Sequence, residues 1–224
     1  MSFDSLAGYL LLAKSGHDVW RSALFSELSE EPAMELQGAS KWYVGTYASK
    51  VALTESDSYR RSPPFTYPVV SRFSGSKILL LSQTRQIVDA IRSVVSEKAH
   101  VRMENVHIAV DRLVKDLARQ PGHYAISSVT ARVSAFGQSL QSISMYGDDI
   151  GEARYFRDGL SYFNSHTCGL RRSTGGSEIV RFTNEGRVSF KPYSASRYSE
   201  VQQVLTFLRD NDYFLEPRTD EGEF

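Results

Sequence analysis

Leu6, Tyr9, Leu10 and Ala13 recur at the spacing of one helical face and Gly16 stops the run, which predicts a helix over Phe3–Lys14. Asp18 can cap a second helix bearing Trp20, Ala23, Leu24 and Leu28, ended by Pro32. Trp42, Val44 and Thr46 then alternate with Lys41, Tyr43 and Gly45, the period of a strand near residues 41–47. Glu55–Pro68 holds three prolines, several serines and no apolar period, and reads as an exposed loop. Lys77–Leu81 is a short apolar run suited to a buried strand. Two amphipathic stripes follow: Ile87, Val88, Ile91, Val94 and Val95, then Val106, Val110, Leu113, Val114 and Leu117, the second closed by Pro121-Gly122.

Beyond residue 122 the period shortens. Tyr124–Ala135 and Leu140–Tyr146 read as a hairpin, with a slip of phase that predicts a bulge near Ser127-Ser128. Glu178–Thr183 and Arg187–Phe190 form another hairpin around Asn184-Glu185-Gly186. Helical spacing returns in Ile150, Ala153, Phe156, Leu160 and Phe163, and again in Tyr198, Val201, Val204, Leu205 and Leu208. The pattern predicts an α+β chain: a helix-rich N-terminal half, then antiparallel β-hairpins with flanking helices. The corresponding division is a lobe over 1–120, a β-hairpin lobe over 121–218 and an acidic tail over 219–224, with one fused domain as the open alternative.

Composition changes this picture in three ways. The 26 basic and 26 acidic residues cancel, which removes the broad positive field of a generic nucleic-acid binder but leaves room for a local patch. Cys168 is the single cysteine, so an internal disulfide and a thiolate-rich zinc site are both excluded. No apolar run approaches the roughly 20 residues of a membrane helix, and the first residues lack the basic region of a secretory signal, so the expected compartment is the cytoplasm.

Four strings carry candidate chemistry. Tyr146-Gly147-Asp148-Asp149 resembles motif C of RNA-dependent polymerases, in which two carboxylates on a strand–turn–strand bind catalytic metal ions. The resemblance covers four residues. The paired carboxylates upstream, Asp111 and Asp116, fall in a predicted helix, and helix also follows Asp149; on this reading Gly147 turns the chain and Asp149 caps the next helix. His166 and Cys168 are two apart, and a histidine beside a thiol is the arrangement of a base-activated nucleophile. Arg171-Arg172-Ser173-Thr174-Gly175-Gly176-Ser177 combines guanidinium groups with exposed backbone, which suits a phosphate or carboxylate. Arg154 and Arg157, with Tyr155 and Phe156, extend that set toward an Arg/aromatic surface able to stack single-stranded bases.

His17, His100, His107 and His123 show no metal-ligand spacing, and the sequence implies no metal or cofactor. Arg60-Arg61-Ser62-Pro63-Pro64 reads as an ordered loop, with docking or modification as its alternative. With no complete nucleotide loop, triad or metal cluster, the reading favours a non-catalytic role: a protein-interaction or assembly component, through a protein partner or self-association. The alternatives are a nucleic-acid or phosphorylated-ligand binder using Arg154, Arg157, Arg171 and Arg172, and a small metal-dependent enzyme at Asp148/Asp149. A membrane partner is not expected.

Overall fold

The fold is that of a computed structural model, which describes residues 5–13, 16–35, 41–50, 52–54, 64–74, 76–133, 142–192 and 195–215. The chain is α+β with antiparallel sheet, and helices and strands interleave throughout. The N-terminal half is therefore not helix-rich. Met1–Val106 with Pro192–Ser199 form one compact unit; His107–Lys191 with Glu200–Phe224 form a second.

The first unit contains β1 (Leu6–Ala13), α1 (His17–Glu27), β2 (Leu28–Glu35), β3 (Lys41–Ser49), β4 (Phe65–Ser74), β5 (Lys77–Ser82), α2 (Arg85–Ala99) and β6 (Met103–Asn105). Its strands run in the order β2-β3-β4-β5-β1, and β6 also pairs with β1. The segment expected as the first helix is thus strand β1. Both faces of β1 are buried, so its apolar positions need not alternate, and a run buried on both sides mimics a helical stripe. Gly8 is required there: a Cβ would stand 1.9 Å from the Leu80 carbonyl oxygen on the neighbouring strand.

Two prolines misled the pattern. Pro32 does not end α1, which stops at Glu27; it lies in β2, where the register against β3 slips between Glu31 and Met34. A bulge on the outermost strand tolerates a residue without an N–H. Pro68 lies in β4 rather than in a loop. Ladder pairing of β4 with β5 begins at Val69, so Pro68 is in register with β3 alone and needs no N–H for β5. Residues 55–63 of the expected loop, including Arg60 and Arg61, lie outside the described residues, as does 219–224.

α1 and α2 pack on one face of this sheet. Trp20, Leu24, Ile87, Val88, Ile91 and Val95 bury against Tyr9, Leu11, Ile78 and Leu80. The Trp20 indole donates to Ser96 Oγ at 3.1 Å, and the Arg92 guanidinium donates to Asn105 Oδ1 at 2.8 Å and to the Met103 carbonyl, joining α2 to β6. The opposite face is also apolar: Leu10, Leu12, Trp42, Val70, Leu79 and Leu81 are buried, and Tyr198 meets Trp42 edge-on at 5.1 Å.

The second unit contains β7 (His107–Ile108), α3 (Val110–Arg119), β8 (Tyr124–Val133), β9 (Ile143–Tyr146), α4 (Arg154–Gly159) between 3-10 turns at Ile150–Glu152 and Leu160–Tyr162, β10 (Phe163–Arg172), β11 (Gly175–Thr183) and β12 (Arg187–Phe190). α5 (Ala195–Asp210) begins in the 192–199 segment of the first unit and continues into the second, which ends in β13 (Phe214–Leu215). The sheet order is β12-β11-β10-β8-β9, and β13 pairs separately with β7. The expected stripe of α3 is buried from Val110 to Leu117, while Val106 lies ahead of the helix and donates its N–H to the Leu10 carbonyl at 2.9 Å. Both expected strand pairs are present, with Gly186 at φ 75° in the β11–β12 turn; residues 134–141, which join the first pair, lie outside the described residues. The register of β8 against β10 skips Ser127, which places the bulge where the phase slip predicted it.

Candidate binding face on the second sheet

The register of the second unit's strands β8–β12 sorts their side chains into two rows. Cys168 lies across from Phe182 on one side and Val129 on the other, and Val129 lies across from Met145; these four are buried. One residue along, Gly169 faces Arg181 and Ser128, and Ser128 faces Tyr146. Thr167 faces Thr183 and Thr130, and Thr130 faces Ser144. Period-two alternation therefore gives this sheet one apolar face and one face of Thr, Ser, Arg and Tyr.

The polar face is organised around Glu178. Its Oε2 accepts hydrogen bonds from Ser127 Oγ at 2.8 Å and Ser128 Oγ at 2.7 Å, and Oε1 pairs with Arg181 at 3.1 Å. The carboxylate lies over Gly169, where a Cβ would stand 1.9 Å from Oε2. The bulge at Ser127 puts two successive hydroxyls within reach of one oxygen. Arg181 extends over the Tyr146 ring at 5.8 Å from its centroid, and Tyr146 is 69% exposed. Two hydroxyl hydrogen bonds and a guanidinium satisfy this carboxylate, so the network holds the face rigid.

The candidate residues fall in separate environments. Asp148 is exposed and pairs with Arg171 at 3.0 Å. Asp149 occupies the position ahead of the 3-10 turn, where its carbonyl accepts the Glu152 N–H at 3.3 Å; its side chain makes no capping hydrogen bond. Among the described residues no three His, Cys, Asp or Glu side chains are grouped to hold a metal ion.

His166 and Cys168 lie within β10. Cys168 is fully buried, and burial pushes its thiol well above the usual range, which keeps it protonated and un-nucleophilic. Its sulfur contacts the Gly169 carbonyl at 3.7 Å. His166 is the extra residue of a second bulge, between Ser165 and Thr167, and its Nδ1 is 3.3 Å from Thr167 Oγ1.

The segment Arg171–Ser177 is two strand ends joined at Ser173-Thr174, with Gly175 and Gly176 at φ 109° and 101°. Arg171 turns to Asp148, whereas Arg172 reaches α5, with Gln203 at 2.9 Å and Glu200 at 3.6 Å. Arg157 donates to the Gly151 carbonyl at 2.9 Å, and Arg154 pairs at 3.5 Å with Asp158 in solvent. Sequence reasoning missed Glu178, Ser127 and Ser128 as one group, and Arg132 and Asn164 altogether. The available signal was the alternation Ser128, Thr130, Arg132, which marks the wet face of β8.

Arg132 and Asn164 are direct cross-strand neighbours. With His166, Asn184 and Glu185 they line a cleft of about 340 Å³. No known family model matches the chain and no curated protein matches it.

Proposed function

We propose that this chain is a protein-interaction component that engages its partner through the tyrosine- and arginine-bearing surface of the second unit. The observation that carries the reading is the exposure of three large aromatics within one short stretch. Tyr146, Tyr155 and Tyr162 are 69%, 65% and 52% exposed. A phenol ring left in water at three positions between 146 and 162 is apolar area available for burial, and tyrosine loses little side-chain entropy on docking. The buried, protonated Cys168 and the pairing of Asp148 with Arg171 favour binding over catalysis.

The test is reciprocal capture and sedimentation of the wild type against a Tyr146→Ser/Tyr155→Ser/Tyr162→Ser variant. The wild type recovers a defined partner that in turn captures this chain, or self-associates at micromolar concentration. The variant loses this with its melting temperature unchanged. A wild type that stays monomeric without a reproducible partner, or a variant that binds equally, contradicts the reading.

A second reading, single-stranded nucleic-acid binding, is favoured by Arg181 over the exposed Tyr146 ring. It ranks lower because Glu178 and Asp148 neutralise Arg181 and Arg171. It predicts salt-sensitive binding of an oligonucleotide that weakens when Arg171 and Arg181 are replaced by alanine.

A further inference from the structure

The cleft at the end of the polar face has the chemistry of a small-molecule site. Arg132 and Asn164 enter it from adjacent strands as a cross-strand pair, and His166 enters from a bulge. A bulge re-aims one side chain out of the strand's alternation, and here it adds an imidazole beside a guanidinium. Asn184 and Glu185 enter from the β11–β12 turn. That turn is pinned on both sides: the Asn184 N–H donates to the His166 carbonyl at 3.0 Å, and the Asn184 carbonyl accepts the Ile108 N–H at 3.0 Å. The five side chains are therefore held on rigid backbone.

Their hydrogen-bonding capacity is largely unspent. Among the described residues the Arg132 guanidinium and the amide groups of Asn164 and Asn184 have no hydrogen-bond or ion-pair partner. His166 Nδ1 meets Thr167 Oγ1, which leaves Nε2 as the available ring nitrogen. Glu185 pairs with Arg187 at 2.6 Å.

We propose that this cleft binds a small polyhydroxylated molecule carrying a single oxyanion, of the sugar monophosphate or sugar acid class. The planar fork of Arg132 takes the oxyanion in two parallel hydrogen bonds, and His166 supplies an adjacent donor. Each asparagine amide offers a donor and an acceptor, the complement of a hydroxyl, and Glu185 accepts from another hydroxyl. The Glu185 carboxylate repels a second or third phosphate. Among the described residues the lining is polar throughout, with no Tyr, Phe or Trp. Its volume, about 340 Å³, is at the small end of the roughly 300–1,000 Å³ of ligand sites.

The experiment is calorimetric titration of the full chain with ribose 5-phosphate and gluconate, which separate the two oxyanion sources. Ribose, inorganic phosphate and ATP are the comparison ligands. The expected result is submillimolar binding of at least one oxyanion probe, at least about tenfold weaker binding of ribose and phosphate, and at least about a tenfold loss in Arg132→Ala that Arg132→Lys partly restores. Arg132 is exposed, so these variants retain the wild-type melting temperature. Absence of binding by both oxyanion probes up to about 10 mM overturns the proposal. So does equal binding in folded Arg132→Ala and His166→Ala, or an ATP affinity above that of both probes.

Discussion

The two units solve the same problem, an antiparallel sheet with helices, with opposite uses of the sheet's second face. In the first unit adjacent residues Leu79 and Leu80 point to opposite faces and both are buried. In the second unit adjacent residues Phe182 and Thr183 also point to opposite faces, but only Phe182 belongs to the core. The difference lies in composition. β1 and β5 read Leu-Ala-Gly-Tyr-Leu-Leu-Leu-Ala and Lys-Ile-Leu-Leu-Leu-Ser, with almost no polar residue to offer water. β8 and β10 keep Ser, Thr, Arg and Gly at alternate positions. A sheet apolar on both faces is a scaffold; a sheet with one polar face retains a surface on which chemistry can be placed.

The largest expected effect contrasts the tight glycines of the two units. Gly8→Ala drives a Cβ into the Leu80 backbone, which can yield only by parting two strands, and should cost at least about 3 kcal/mol in a urea titration. Gly169→Ala displaces the ends of two side chains, Glu178 and Ser128, and should cost about 1–3 kcal/mol through their broken hydrogen bonds. Equal costs would erase the distinction between a backbone-limited and a side-chain-limited contact.

Removing the carboxylate sharpens the same point. Glu178→Ala leaves Ser127, Ser128 and Arg181 without their acceptor; its cost should be about 1–3 kcal/mol, lessened by the partial exposure of the pair. The accompanying Gly169→Ala/Glu178→Ala double variant should cost less than the sum of the single variants, because the clash and the network share one group.

A smaller effect depends on pH. Burial, followed by its hydrogen bond to Asp116, pushes the Tyr213 phenol up to about 12. The folded state therefore holds this proton more tightly than the unfolded chain, whose tyrosine titrates near 10. The resulting stability is complete below about pH 10 and is lost as pH rises from about 10 through about 12. Tyr213→Phe should lose about 0.5–1.5 kcal/mol at neutral pH and show a shallower alkaline decline than the wild type. The smallest effect is expected at Arg154, whose pair with Asp158 lies in open solvent: Arg154→Ala should leave the melting temperature within about 1 °C.

The sequence made the second unit more legible than the first, for a physical reason. Alternation survives only where one face meets water, so the hairpins, the Ser127 bulge and the Asn184-Glu185-Gly186 turn could all be read. β1 could not, because burial on both sides removes the alternation and leaves Leu6, Tyr9, Leu10 and Ala13 at an accidental helical spacing. β10 was hidden for a different reason. Asn164, Ser165, Thr167 and Gly169 look like loop residues, yet Gly169 is needed under the Glu178 carboxylate and Thr167 belongs to the polar row. The helices α2 and α3 and the later part of α5 were clear because a one-sided helix keeps its stripe. The cleft was illegible in principle: Arg132, Asn164, His166 and Asn184 come from three segments, and only strand register and a bulge bring them together.

The contrast between a two-sided and a one-sided sheet is tested most directly by alanine substitution of adjacent residues, followed by equilibrium urea unfolding. Leu79→Ala and Leu80→Ala should each cost about 2–5 kcal/mol, since each removes a fully buried leucine from its own face. Phe182→Ala should cost about 3–5 kcal/mol and its neighbour Thr183→Ala under about 1 kcal/mol. A Leu79→Ala cost below about 0.5 kcal/mol, or a Thr183→Ala cost matching that of Phe182→Ala, would contradict the assignment of faces on which the proposed binding surface rests.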